Sequence, residues 1–209
     1  MSNIINSILS NLGYALGPIL LGLLLWASVK IKEHVSSRKK TKMLFSHMNK
    51  SVQLRQYLAE LKAQTNADRA MVFLFHNGGK YINDSPCVKV SCLVEVCSSG
   101  ISHECGNLQD IPVFYLPKSV IDIIIEQKGG VIDTSTLEDC VFKNMFLSIG
   151  VSKIAVTTLY QGSDVIGFVC LNYFHAEEPV DIFTINKYTG LISVTLSLKN
   201  IKLKAKRLV

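Results

Sequence analysis

His76-Asn77-Gly78-Gly79 is the most distinctive polar stretch of this chain. A histidine can hold or pass a proton near neutral pH, an amide both donates and accepts, and two glycines let backbone approach a ligand closely. The same tetrapeptide also reads as an ordinary turn, because Asn-Gly is a common turn signal. A dozen residues later, Lys89, Ser91 and Glu95 occur at odd positions of an alternating run. On one strand face they would offer a cation, a hydroxyl and a carboxylate to a polar ligand, or form a Lys–Glu pair against solvent. Asn172 and His175 close a later apolar run and could reach the same region, whereas His34 and His103 have no partner by spacing.

The six cysteines are Cys87, Cys92, Cys97, Cys105, Cys140 and Cys170. No CxxC pair occurs, and Cys97-x5-His103-x-Cys105 matches no common zinc spacing, so most are expected to serve as small buried hydrophobes with free thiols. There is no nucleophile elbow, no phosphate-binding loop of the Walker type and no HExxH. The motifs imply no particular cofactor, and the expectation is a protein that is not an enzyme.

Several elements must position these residues. Apolar positions at Leu44, Phe45, Met48, Val52, Tyr57, Leu58 and Leu61 predict a helix over 43–63, ending at the Thr65–Asp68 break. Arg69–His76 is an apolar run of strand length, closed by the Asn77-Gly78-Gly79 turn signal. Val88–Val96 alternates strictly, with Val88, Val90, Cys92, Val94 and Val96 on one face and Lys89, Ser91, Leu93, Glu95 and Cys97 on the other. Residues 98–117 are irregular. A short helix follows over 118–127, then a brief strand at 131–133 and another short helix over 139–149. The strongest hairpin pairs Ser152–Tyr160 with Val165–Phe174 around Gln161-Gly162-Ser163-Asp164. A long helix over 181–207 ends the chain. Its Leu191, Val194, Leu198, Ile201, Ala205 and Leu208 form a coiled-coil-like seam.

The chain ends carry the charge. Residues 1–29 have no charged side chain, and Leu12–Val29 is almost wholly apolar. Eighteen helical residues span roughly 27 Å, close to the hydrocarbon thickness of a bilayer. Six bases and one acid follow in 30–43, and five bases with no acid occupy 199–209. Each end therefore carries +5 against a total of +6, so residues 44–198 hold a net −4. A mildly acidic body argues against nucleic acid as a partner. Bases just past an apolar span resist translocation. The expectation is one transmembrane anchor at 1–29 and a basic juxtamembrane linker at 30–43. The N-terminus would lie outside an inner or plasma membrane and the folded domain in the cytoplasm. Removing these segments leaves enough chain for one domain with a sizeable core.

The order of elements resembles a GAF domain, the small-molecule-binding fold related to PAS domains. The resemblance covers about 44–202 and leaves 203–209 as a basic tail. It rests on LKAQTNADRAMVFLFHNG, where a helix enters the first strand, and on VSKIAVTTLYQGSDVIGFVCLNYF, where a strand beginning Ile-Gly follows a short polar turn. It implies an α+β fold: an antiparallel sheet with the N- and C-terminal helices on one face, preceded here by the transmembrane helix. It also implies a pocket near the end of the first strand, with His76, Asn77, Lys89, Ser91 and Glu95 as candidate ligand-binding residues. The Asn-Lys-Phe-Asp-Glu pattern of the family's cyclic-nucleotide binders is absent, and no cysteine sits in an obvious bilin-attachment context. The expected function is a membrane-anchored, cytoplasmic, non-catalytic binding module or sensor for a small molecule or partner protein. The alternative is a structural or accessory membrane protein, virus-encoded or cellular, that oligomerises through its flanking helices. A third reading is a thiol-dependent reductase of free methionine sulfoxide, since some GAF proteins do this chemistry.

Overall fold

A computed structural model describes the backbone of residues 2–80, 84–175 and 180–205. Within these it describes the side chains of 25–36, 38, 44–46, 48–80, 84–175 and 180–197. The chain divides into two compact units, Met1–Asn49 and Lys50–Val209. Helix α1, Ser2–Gln64, supplies the whole described part of the first unit and enters the second. Most of the proposed anchor at 1–29, namely residues 1–24, lies outside the described side chains. Among the described residues, no helix is long and apolar enough to cross a membrane.

The second unit is built on a six-stranded sheet with strand order β3-β2-β1-β6-β5-β4, antiparallel throughout. The strands are β1 Arg69–Lys80, β2 Pro86–Cys97, β3 Ile111–Pro112, β4 Gly129–Asp133, β5 Lys153–Gln161 and β6 Asp164–Tyr173. Hydrophobic alternation explains the two-sided burial. Ala70, Val72, Ala155, Leu159, Val169 and Leu171 face one core with Leu54, Leu58 and Leu61 of α1 and with Ile185, Tyr188 and Ile192 of the last helix, α4 Ile182–Ala205. Met71, Phe73, Ile154, Val156, Phe168 and Cys170 face the other core. That side is covered by α2 Lys118–Asp122, a π-helical turn over Ile123–Gln127, and α3 Val141–Ser148. Both flanking helices therefore cover one face and the central elements the other, in the expected arrangement.

Three local expectations are corrected. Asn77-Gly78-Gly79 does not close β1, which continues to Lys80. The Asn77 side-chain oxygen accepts the Gly79 N–H at 2.9 Å and Gly79 takes φ +101°, so the turn chemistry is spent on an irregularity inside the strand. The hairpin loop is two residues, Gly162-Ser163, because Gln161 and Asp164 are paired. The third concerns β2. Val72 pairs with Val94 and Phe73 with Cys92, so Leu93 is an extra residue opposite no partner. This β-bulge reverses the alternation. Val90 and Cys92 enter the α2–α3 core, whereas Val94 enters the α1–α4 core.

The apolar stripe expected on α1 is also divided. Leu58 and Leu61 pack on the sheet, and Leu44, Phe45, Met48 and Val52 are exposed. On α4, Leu191 and Val194 of the coiled-coil seam are exposed, and the seam residues from Leu198 onward lie outside the described side chains.

Candidate functional site

The bulge at Leu93 separates the polar residues that strict alternation would place together. Lys89 and Ser91 remain on the side of β2 opposite Val90 and Cys92, while Glu95 pairs with Met71 and turns toward the α2–α3 side. The expectation that Lys89, Ser91 and Glu95 share one face is therefore corrected, since one inserted residue flips every later side chain.

The first resulting group is His76, Lys89, Ser91 and Asp110. His76 Nε2 lies 2.9 Å from Ser91 Oγ, and that oxygen accepts the Asp110 N–H at 2.8 Å. Asp110 Oδ1 is 3.8 Å from His76 Nε2 and 3.8 Å from Lys89 Nζ. Asp110 is a non-glycine residue at φ +55°, held there by these contacts and by the turn leading into β3. Serine, histidine and aspartate are together, yet serine and aspartate both meet the same ring nitrogen. A nucleophilic relay needs the carboxylate on the opposite nitrogen, so this geometry does not activate Ser91. Its exposed ion pairs contribute at most about 1 kcal/mol. Asn77 is exposed and bonded to its own backbone.

The second group surrounds Glu95. Arg69 and Glu95 are a buried pair, with side chains 1% and 2% exposed and Nε 3.1 Å from Oε1. Glu95 also accepts the N–H groups of Glu104 and Cys105, each at 3.0 Å. Arg69 Nη2 donates to the Ser102 carbonyl at 2.7 Å, and its guanidinium lies over the Phe174 ring, 5.7 Å from the centroid. His103 Nδ1 is 3.2 Å from Glu95 Oε2 and 3.6 Å from Cys97 Sγ. Burial pushes the Cys97 thiol up, with Arg69 pulling the other way. Spacing alone gave His103 no partner; it has two. Arg69 escaped notice too, although an Arg and a lone Glu inside two apolar strands are a signal, since buried charges must pair.

A cavity of about 370 Å³ opens beside the α2–α3 core. Phe75, Val88, Val113, Leu116, Ile121 and Ile124 wall it, and Ile125 and Val165 stand at its rim. The π turn positions two of these residues. Its wider winding presents Ile124 inward and Ile125 outward, and Thr158 Oγ1 caps the Ile124 carbonyl at 2.9 Å. None of the five predicted binding residues lines this cavity. Asn172 is buried opposite Arg69, and His175 and His34 are exposed. Two buried thiols are held protonated: burial pushes Cys170 up to about 12 and raises Cys92 further.

No family model matches the sequence, and no curated protein does. Solved structures do resemble the fold. The phycocyanobilin-bound GAF domain of a cyanobacterial phytochrome aligns with TM-score 0.58 and 12% identity over 79% of this chain and 93% of that one. The blue-light-absorbing form of the PixJ GAF domain from Thermosynechococcus elongatus aligns at 0.54 and 13%, over 78% and 92%. The phycoerythrobilin-bound GAF domain of a cyanobacterial phytochrome aligns at 0.55 and 11%, over 79% and 94%. The six-stranded antiparallel sheet with its flanking helices is thus a GAF-like α+β fold.

Proposed function

We propose that this chain is a non-catalytic GAF-fold binding module that takes a largely apolar small molecule in the cavity between β1, β2 and α2. The observation that carries this reading is the cavity itself. Its volume lies in the range of small-molecule sites, its wall is aliphatic and aromatic, and it has an open rim. The similar domains from cyanobacterial phytochromes are described with bound bilins, which supports ligand binding as the use of the fold. The relay-incompetent His76–Ser91 contact and the raised Cys92 and Cys170 thiols favour binding over catalysis, including over sulfoxide reduction. His76, Lys89 and Asp110 then act as a polar clasp between β1, β2 and the approach to β3.

The test uses the full chain in lipid nanodiscs and a panel of apolar metabolites. A ligand at 100 times its Kd adds about 2.7 kcal/mol of stability. Val88→Trp, at a position 41% exposed on the cavity wall, should abolish that gain without unfolding the domain. A panel without a stabilising compound, or a gain unchanged by Val88→Trp, counts against the reading.

The same proposal places the module on the cytoplasmic side of an inner or plasma membrane, anchored by residues 12–29. The uncharged start, the basic residues from Lys30 to Lys42 and the exposed Leu25, Trp26 and Val29 support it. In bacterial cells the chain should resist carbonate extraction and should be spared by protease added to spheroplasts. Release into the carbonate supernatant would refute the anchor. An assembly role is the second reading, favoured by Leu44, Phe45 and Met48 exposed at 58%, 59% and 55% on α1. Light scattering on the nanodisc-free, detergent-solubilised chain decides it, and a strict monomer rules it out.

A further inference from the structure

Three side chains with metal-ligand chemistry converge where β2 meets the following loop. Glu95 and Cys97 are two residues apart on β2, and His103 folds back from the loop to meet them. The three donor atoms lie within 4.8 Å of one another, with Cys97 Sγ to His103 Nδ1 at 3.6 Å and His103 Nδ1 to Glu95 Oε2 at 3.2 Å. Tetrahedral zinc with bonds of about 2.3 Å to sulfur and 2.0–2.1 Å to nitrogen and oxygen separates its S and N ligands by about 3.6 Å and its N and O ligands by about 3.3 Å. The observed spacings match. Even with the third pair at its outer limit, a point about 2.4 Å from all three atoms exists.

We propose that Glu95, Cys97 and His103 form a binding site for one divalent zinc-like ion, with solvent as the fourth ligand. A sulfur, an imidazole and a carboxylate suit zinc better than magnesium or calcium, which prefer oxygen alone. The surroundings supply an outer shell. Arg69 and the Glu104 N–H engage Glu95 Oε1, and the Glu104 and Cys105 N–H groups both reach Oε2 at 3.0 Å, which fixes the carboxylate beside His103 and means that the ion would share Oε2 with these donors. The charge balance is favourable. A divalent ion with a thiolate, a carboxylate and the Arg69 guanidinium leaves a net charge of +1 on the cluster. The His103 side chain is 74% exposed and Glu95 only 2%, giving a rigid base and an open entry path. The ion displaces one proton from the Cys97 thiol, forms the metal–sulfur bond, and takes His103 at Nδ1 in the tautomer whose proton sits on Nε2, with the Glu95 carboxylate as the third ligand. Bound metal would lock the loop from Ser98 to Cys105 onto β2.

The test is a cobalt(II) titration of the reduced, tag-free full chain in nanodiscs. The expected result is one equivalent bound, with a thiolate-to-cobalt charge-transfer band, four-coordinate d–d intensity, proton release, and displacement by zinc. Cys97→Ser should remove the charge-transfer band, and His103→Ala should weaken binding at least about tenfold. Cys140→Ser, at a thiol outside the cluster, should change neither. His103 is exposed, so its variant should keep the wild-type circular dichroism. Absence of stoichiometric binding by the wild type, a spectrum without the thiolate band, or an unchanged band in Cys97→Ser would overturn the proposal.

Discussion

Glu95→Gln isolates the buried ion pair at the centre of the domain. Gln keeps the volume and one acceptor oxygen, but it removes the charge that compensates Arg69. At 3.1 Å and an effective dielectric near 20, the lost attraction is about 5 kcal/mol. Arg69 keeps its bond to the Ser102 carbonyl and its place over Phe174, while Nη1 has no hydrogen-bond partner among the described residues. Removing one partner of a buried pair costs about 3–5 kcal/mol, and the retained contacts place this case near 3. Trp26, the single tryptophan, lies outside the domain on α1, so its fluorescence does not report the transition. Pulse proteolysis of the full chain across a urea series does, and the midpoint should fall by about 1–2 M. The double variant Arg69→Met with Glu95→Leu should recover most of the loss, because apolar residues of similar size need no compensation. A fall of less than about 0.3 M, or a double variant weaker than the single, would refute the assignment of stability to charge pairing.

Two further outcomes test the sheet and its buried thiols. A Cβ on Gly167 would run into the Phe73 carbonyl oxygen on the neighbouring strand, so Gly167→Ala should cost about 3 kcal/mol or more in urea unfolding. Gly162→Ala meets open space at φ +66° and should cost only about 1 kcal/mol; equal costs would contradict the close β1–β6 approach. Burial raises the Cys170 thiol from 9.0 to about 12. The unfolded chain therefore releases this proton near pH 9 while the folded chain still holds it. Stability should be flat below pH 9 for this group and fall between pH 9 and 12, by up to about 1.4 kcal/mol per pH unit. Cys170→Ala should flatten that part of the urea-midpoint profile, and an unchanged slope would exclude the thiol as its source.

Much of the fold was legible because periodicity is local. Tyr57, Leu58 and Leu61 of the helical stripe, the apolar run from Ala70 to Phe75 and the hairpin over 153–173 each declare their element without a partner. The candidate site was less legible. Strict alternation in β2 was the right rule applied across a bulge that only pairing with β1 creates. Asn77-Gly78-Gly79 has turn chemistry, yet cross-strand pairing with Val88 and Pro86 carries β1 past it.

The sequence by itself determined the order of strands and helices apart from β3, which lies in the stretch 98–117 that has no periodicity, and the sign of charge along the chain, because nearest neighbours set each of these. Tertiary structure decided which chemistry-bearing residues meet. Lys89 and Ser91 parted from Glu95 at Leu93, His103 came to Cys97 from a loop without periodicity, and Arg69 found Glu95 26 positions away. The cavity belongs to the same class, since its walls come from four separate segments. Contacts of this kind depend on strand register and loop closure, which no local pattern encodes.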